Sequence, residues 1–238
     1  MRWGDSDAVR FLADLIFPVN CVSCGQEGQW WCPACAGVDW SAPVYSCPCC
    51  GQDTMGGAVC ATCRPASFLD GVVAVLPYDD HGSSGRLLKA LKYNYARDVA
   101  GTLTKLWKHF FLQASLPAGT LLPVPLHIRR CRERGFNQAE TIVASIVDGA
   151  RLSDAIIPSI CSRGLIRSRY TSQQARLTRA ERLANIRNAF AWTAPKNPPA
   201  QILLVDDIFT TGATLQAAAY ELKLRGAKRV WGLVVARG

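Results

Sequence analysis

Four C-x-x-C pairs crowd into the first quarter of this 238-residue chain: Cys21/Cys24, Cys32/Cys35, Cys47/Cys50 and Cys60/Cys63. A segment this short buries too little apolar surface to fold on a hydrophobic core alone. Two thiolates at i and i+3 in a tight turn grip one metal ion, and four of them close a tetrahedral structural site. Glycines follow the first and third pairs (Gly25, Gly51), where a positive-φ backbone wraps the knuckle around the sulfur. The same spacing selects Cys47 and Cys50 and leaves Cys49 over. The two halves repeat as C-x-x-C-G, a short insert, then C-x-x-C. This repeat favours sequential sites, Cys21/Cys24/Cys32/Cys35 and Cys47/Cys50/Cys60/Cys63, over an interleaved cross-brace. Two structural zinc ions are therefore expected. A disulfide framework is the alternative, and it needs an oxidising compartment. Asp5, Asp7 and Asp14 interrupt residues 1–18, which read as a short amphipathic helix carrying Val9, Leu12 and Ile16 rather than as a secretory signal. The expected location is the cytoplasm.

Charge draws a boundary where the cysteines stop. Residues 1–66 carry three arginines against six acids, a net of −3, so the remainder must carry +12 to give the chain's +9. Residues 120–190 alone contain twelve arginines, no lysine and five acids. With 49% hydrophobic and 19% charged residues the chain is not a disordered one. No apolar run reaches the ~18 residues that span a bilayer. The expected organisation is an amphipathic helix over 1–18, a double zinc ribbon over 19–66 and a body over 67–238. Trp30, Trp31 and Trp40 are expected to pack over the zinc loops.

In the body, short Val- and Leu-rich runs mark strands at 71–77, 120–125, 201–205 and 229–236. Helical stretches lie between them at about 84–93, 97–114, 136–149 and 213–225. This alternation implies an α/β architecture, a parallel sheet with helices on its faces.

The most informative stretch is Gln201-Ile-Leu-Leu-Val-Asp-Asp-Ile-Phe-Thr-Thr-Gly-Ala-Thr-Leu215. An apolar strand delivers Asp206 and Asp207 at its carboxyl end, where parallel sheets bind ligands. Thr210, Thr211, Gly212, Ala213 and Thr214 then lead into a helix. Unpaired amides and the helix dipole make such a start a phosphate site, and threonine hydroxyls add donors. Two carboxylates repel a phosphate but suit neutral hydroxyls a few ångströms away. The chemistry asks for a sugar phosphate, with ribose hydroxyls on the acids and the 5′-phosphate in the loop. Neither a Walker loop nor a G-x-G-x-x-G fingerprint is present. The plain alternative is a capped helix after a strand that happens to end in two acids.

This stretch resembles the phosphoribosyltransferase signature, and three more segments narrow the resemblance. Pro123-Val-Pro-Leu-His-Ile-Arg-Arg-Cys-Arg-Glu-Arg-Gly-Phe-Asn-Gln138 is similar to a segment of the ComF/GntX family. Gln174 with Leu177–Arg182 and Asn185–Phe190 forms a second such segment, and Gly85–Tyr93 a third. With the double zinc ribbon in front, the resemblance spans nearly the whole chain. It departs at Phe209, where an aliphatic residue is more usual, and at Tyr170–Gln173, which replaces a Pro-richer stretch; neither removes a ligand.

The resemblance implies a type I phosphoribosyltransferase-like fold and an association with DNA uptake during natural transformation. The transferase signature implies phosphoribosyl pyrophosphate, bound with Mg²⁺, as ligand and displacement at the anomeric carbon as the reaction class; the resemblance does not supply the acceptor. Around that ligand, Arg132 and Arg134 are candidates for the pyrophosphate end. Residues 163–182 read as a lid, with Arg167, Arg169 and Gln174 as its contacts. Arg129 and Arg130 are set aside as too far along the chain. Lys89 and Lys92 read as surface or nucleic-acid contacts, and His81, His109 and His127 receive no role. No segment identifies itself as a nucleobase hood, so three readings stay open: an active transferase, a single-stranded-DNA-binding protein of the uptake machinery on this fold, and a sensor of the same sugar phosphate.

Overall fold

The computed structural model describes residues 18–40, 43–92, 96–169 and 189–238. The expected helix over 1–18 therefore lies almost wholly outside the described residues, as do Tyr93, Tyr95, Gln174 and the segment 177–182. In chain order the elements are α1 (Pro33–Asp39), β1 (Gly71–Pro77), α2 (Ser83–Lys92), α3 (Ala96–Gln113), β2 (Thr120–Pro123), α4 (Ile128–Arg134), α5 (Gln138–Arg151), β3 (Leu165–Arg167), β4 (Phe190–Trp192), β5 (Gln201–Phe209), α6 (Ala213–Leu224) and β6 (Arg229–Arg237).

β1, β6, β5 and β2 form a four-stranded parallel sheet in that order, and β3 pairs with β4 as a separate antiparallel hairpin. The strands are nearly continuous apolar runs because both faces of the sheet are covered. Leu203 and Val205 of β5 pack into a core shared with Leu87, Leu91, Leu103, Trp107 and Ile142 from α2, α3 and α5. Ile202 and Leu204 face the opposite core, with Leu215, Ala218 and Leu222 of α6 and with Leu165 and Phe190 of the hairpin. The result is the expected parallel sheet flanked by helices, a phosphoribosyltransferase-like fold carrying a cysteine-rich module.

That module lies against the sheet. Its second half runs along the outer edge of β1: the Val44 N–H donates to Ala74 O at 2.9 Å, the Val59 N–H donates to Asp70 O at 2.9 Å, and Ala58 bridges Gly71. A free strand edge is thereby covered. The first half rests on α2 and α3. Arg86 donates from Nε to Val22 O, Ser83 Oγ donates to Asp39 Oδ2 at 3.3 Å, and the Trp40 ring sits 5.7 Å from that of His109. Trp31 is buried with Cys21 and Cys32 and meets Trp40 edge-on at 5.8 Å.

Element bounds shift where partners dictate. β2 stops at Pro123, opposite Val205, whereas β5 runs on to Phe209 because β6 stays alongside as far as Arg237. The stretch after β2, to which the sequence assigns neither strand nor helix, contains α4. His127 opens this helix by accepting the Arg129 N–H on Nδ1, and Gly135 closes it at φ 78°. Among the described residues no helix is long and apolar enough to cross a membrane.

Candidate functional site

Asp206 and Asp207 lie on β5 just past the point where β2 ends, so the edge of β5 that β2 covers further back is free of strand pairing here. A cleft at the carboxyl end of an open parallel sheet is the place such folds offer a ligand. The two acids are both buried and sit in different surroundings. Asp207 Oδ2 is 2.6 Å from Lys92 Nζ, at the end of α2. Asp206 Oδ1 accepts the Asp207 N–H at 2.9 Å. Burial pushes the Asp206 carboxyl well above the usual carboxylate range. The charge of Asp207 and a hydrogen bond with it push the same way, against the Asp207 N–H and Lys92. The Lys92 ammonium offsets the charge of Asp207, so the pair repels a neighbouring phosphate less than two bare carboxylates would.

Six residues on, Gly212 opens α6 at φ 71° and no side chain caps the helix. The first helical bond runs from the Gln216 N–H to Gly212 O at 2.9 Å. The amides of Ala213, Thr214 and Leu215 precede it and have no carbonyl within the helix to bond. Thr210 and Thr211 are exposed, and Ala213 and Thr214 are half-buried. A side chain at Gly212 would run into the Phe209 ring, so the backbone comes closer there than any other residue permits. The chain thus places an uncapped helix start a few residues beyond two buried acids.

The basic residues named from sequence divide. Arg132 and Arg134 sit in the last turn of α4; Arg132 is exposed, while Arg134 Nη1 donates to Gln138 Oε1 at 2.9 Å. Asn137 caps α5 by accepting the Ala139 N–H and ties it to β2 by donating to Val124 O at 3.2 Å. Arg167 ends β3 with its guanidinium 5.5 Å from the Phe190 ring centre. Burial lowers its pKa; the nearby Arg130 lowers it further and Asp206 opposes. Arg169 is exposed, and Gln174 lies outside the described residues. Sequence reasoning missed two residues. Lys92 reads as surface because its i, i+3 spacing with Lys89 looks like a solvated face, and Arg130 was set aside on chain distance alone.

The cysteines gather into two groups of four, Cys21/Cys24/Cys32/Cys35 and Cys47/Cys50/Cys60/Cys63, with all sulfurs of a group within 4.8 Å of one another. Cys24 and Cys32 sulfurs stand 3.8 Å apart, as do those of Cys50 and Cys60. Four thiolates at ~2.3 Å around one tetrahedral ion have the same ~3.8 Å spacing. The Cys32 N–H donates to Cys21 Sγ and the Cys60 N–H to Cys47 Sγ, the outer bonds such sites use to orient their sulfurs. Burial raises the Cys21 thiol, but the Cys32, Cys24 and Ser23 amides outweigh it and bring it down to about 6; Cys47 reaches about 6 in the same way. Donor type, number and spacing fit two zinc ions, paired sequentially.

No family model matches the chain. It is similar to Competence protein F of Haemophilus influenzae, 34% identical over 152 residues, which are 62% of this chain and 59% of that protein. DNA utilization protein YhgH of Escherichia coli strain K12 is 32% identical over 154 residues, 62% of this chain and 65% of its own. The chain thus spans less than two thirds of these two relatives. Competence protein ComFC of Bacillus subtilis is 30% identical over 202 residues, 76% of this chain and 73% of that protein.

Proposed function

The chain belongs to the ComF family, and from that premise we propose that it binds phosphoribosyl pyrophosphate with Mg²⁺ and serves a pathway of DNA uptake or utilisation, as the names of its relatives suggest. The observation that carries the ligand is the succession on β5 and α6: two buried acids beyond the end of β2, then an uncapped helix start at a left-handed Gly212. In this reading Asp206 and Asp207 take the ribose hydroxyls, and Thr210, Thr211, Gly212, Ala213 and Thr214 hold the 5′-phosphate. Arg167, which interacts with both Asp206 and Arg130, is the best candidate to give a diphosphate countercharge, with Arg130, Arg132, Arg134 and Arg169 as further candidates. Bound Mg²⁺ would neutralise diphosphate oxygens as they depart. Lys92 holds Asp207 in place through their 2.6 Å ion pair. Two tetrahedral cysteine groups suited to zinc rather than to disulfides fit a reducing compartment, in keeping with a cytoplasmic location.

Calorimetric titration with phosphoribosyl pyrophosphate and Mg²⁺ tests this. Binding to the wild type that is lost in the Asp206→Asn/Asp207→Asn double variant supports the site; undiminished binding in that variant removes it. Pyrophosphate release on adding an acceptor separates transfer from binding alone.

A second reading, affinity for single-stranded DNA, rests on the +12 body and on the arginines of α4, of which Arg129 and Arg132 are exposed. It expects retention of an oligonucleotide that weakens steeply with salt and on Arg129→Glu/Arg132→Glu substitution. No retention at low salt discards it.

A further inference from the structure

Arg237 closes β6 on the strand next to the site, and its side chain reaches away from it into the cysteine-rich module. Buried at 9% exposure, its guanidinium donates from Nη1 to Ser46 O at 2.6 Å and from Nη2 to Cys47 O at 2.7 Å. Cys47 is the first sulfur of the second cysteine group, and both carbonyls stand at the entrance to its knuckle. The other side of the same guanidinium covers the Phe209 ring, 5.1 Å from its centre. Phe209 and Arg237 are register partners across β5 and β6, and the Gly238 N–H donates to Phe209 O at 3.0 Å. The Phe209 ring in turn fills the space under Gly212. An unbroken line of contacts therefore joins Cys47, Arg237, Phe209 and Gly212. The aromatic ring at Phe209 is what lets the guanidinium stack.

We propose that Arg237 is a positioning residue through which metal occupancy of the second cysteine group holds the Thr210–Thr214 loop in its anion-receiving form. A metal ion fixes the knuckle, and with it the direction of the Ser46 and Cys47 carbonyls. Four thiolates on a divalent ion also leave about two negative charges to balance the buried guanidinium. When the knuckle unwinds, the guanidinium loses both acceptors. A buried cation without partners must move, and moving it uncovers the ring on which Gly212 rests. A lysine cannot replace it, since one ammonium does not bridge two carbonyls while stacking flat on a ring.

The link itself does not depend on which anion the loop holds; its consequence for phosphoribosyl pyrophosphate rests on the function proposed above. Amide hydrogen exchange on the full-length, zinc-loaded chain tests it, comparing wild type, Arg237→Met, Arg237→Lys, Cys63→Ser and the Arg237→Met/Cys63→Ser double variant. Exchange over residues 209–215 is expected to quicken roughly tenfold in each single variant. The double variant should exchange no faster than either single one, and residues 202–205 should stay protected throughout. Unchanged exchange over 209–215 in Arg237→Met, with both metals retained, overturns the proposal. So does Arg237→Lys behaving as wild type, or additive effects in the double variant. If Cys63→Ser unfolds globally, the two Arg237 variants decide alone. Titrating the same samples with phosphoribosyl pyrophosphate and Mg²⁺ separates the two readings. Weaker binding in the variants supports both, whereas no binding to wild type alongside a responsive loop removes the ligand and keeps the link.

Discussion

Two adjacent carboxylates can do different work when their surroundings differ. Asp207 is ion-paired with Lys92, while burial and the charge of Asp207 outweigh the more distant pull of Lys92 on Asp206 and raise its pKa. The consequence for stability has a definite sign. An acid whose pKa is higher folded than unfolded keeps its proton longer in the native state. Its contribution is therefore complete below the unfolded value of ~3.9 and declines as pH rises through the folded one. Asp206→Asn removes that decline. At neutral pH the variant should be more stable than wild type by about 1 kcal/mol, in denaturant titrations, with the advantage vanishing near pH 4, while affinity for the sugar phosphate falls. Equal stability of the two proteins across this range would contradict the assignment of Asp206 as the strained acid. Such a trade of stability for function is common where a binding site buries charge.

At the scale of elements, the loop before α6 depends on a missing side chain. Gly212→Ala places a methyl both in the left-handed region and against the Phe209 ring. It should cost roughly 1–3 kcal/mol in thermal or denaturant unfolding and weaken anion binding more than the loss of stability explains. Elements of this kind were legible in the sequence to different degrees. β1, β5, β6 and the helices α2, α3, α5 and α6 announce themselves because strands covered on two faces and long amphipathic stretches leave local patterns. The acid pair and the hydroxyl loop were legible for the same reason, lying within one continuous run of chain. α4 was not, since seven residues rich in arginine carry no apolar period and its opening depends on the His127 ring. β3 and β4, three residues each, exist only through pairing with one another. The meeting of Lys92 with Asp207 and of Arg237 with Cys47 joins residues more than a hundred positions apart, and no local pattern encodes it.

For the whole molecule, the cysteine-rich module is part of the architecture. It covers the β1 edge, and Trp31 is continuous with the core of the sheet. Native mass spectrometry should find two zinc ions per chain, consistent with the two cysteine groups. Stripping them should expose the β1 edge and shift tryptophan emission to the red, with association visible by light scattering. One zinc ion or none in freshly purified reduced protein would contradict the pairing. Ligand binding at the acids of β5 and the start of α6 is tested most directly by amide-resolved NMR. On titration with phosphoribosyl pyrophosphate and Mg²⁺, the resonances of Thr211, Gly212, Ala213, Thr214 and Leu215 should shift together and saturate with one ligand per chain. Saturable shifts confined to α4, or none at all, would show that the acids of β5 and the start of α6 are not where the ligand is held.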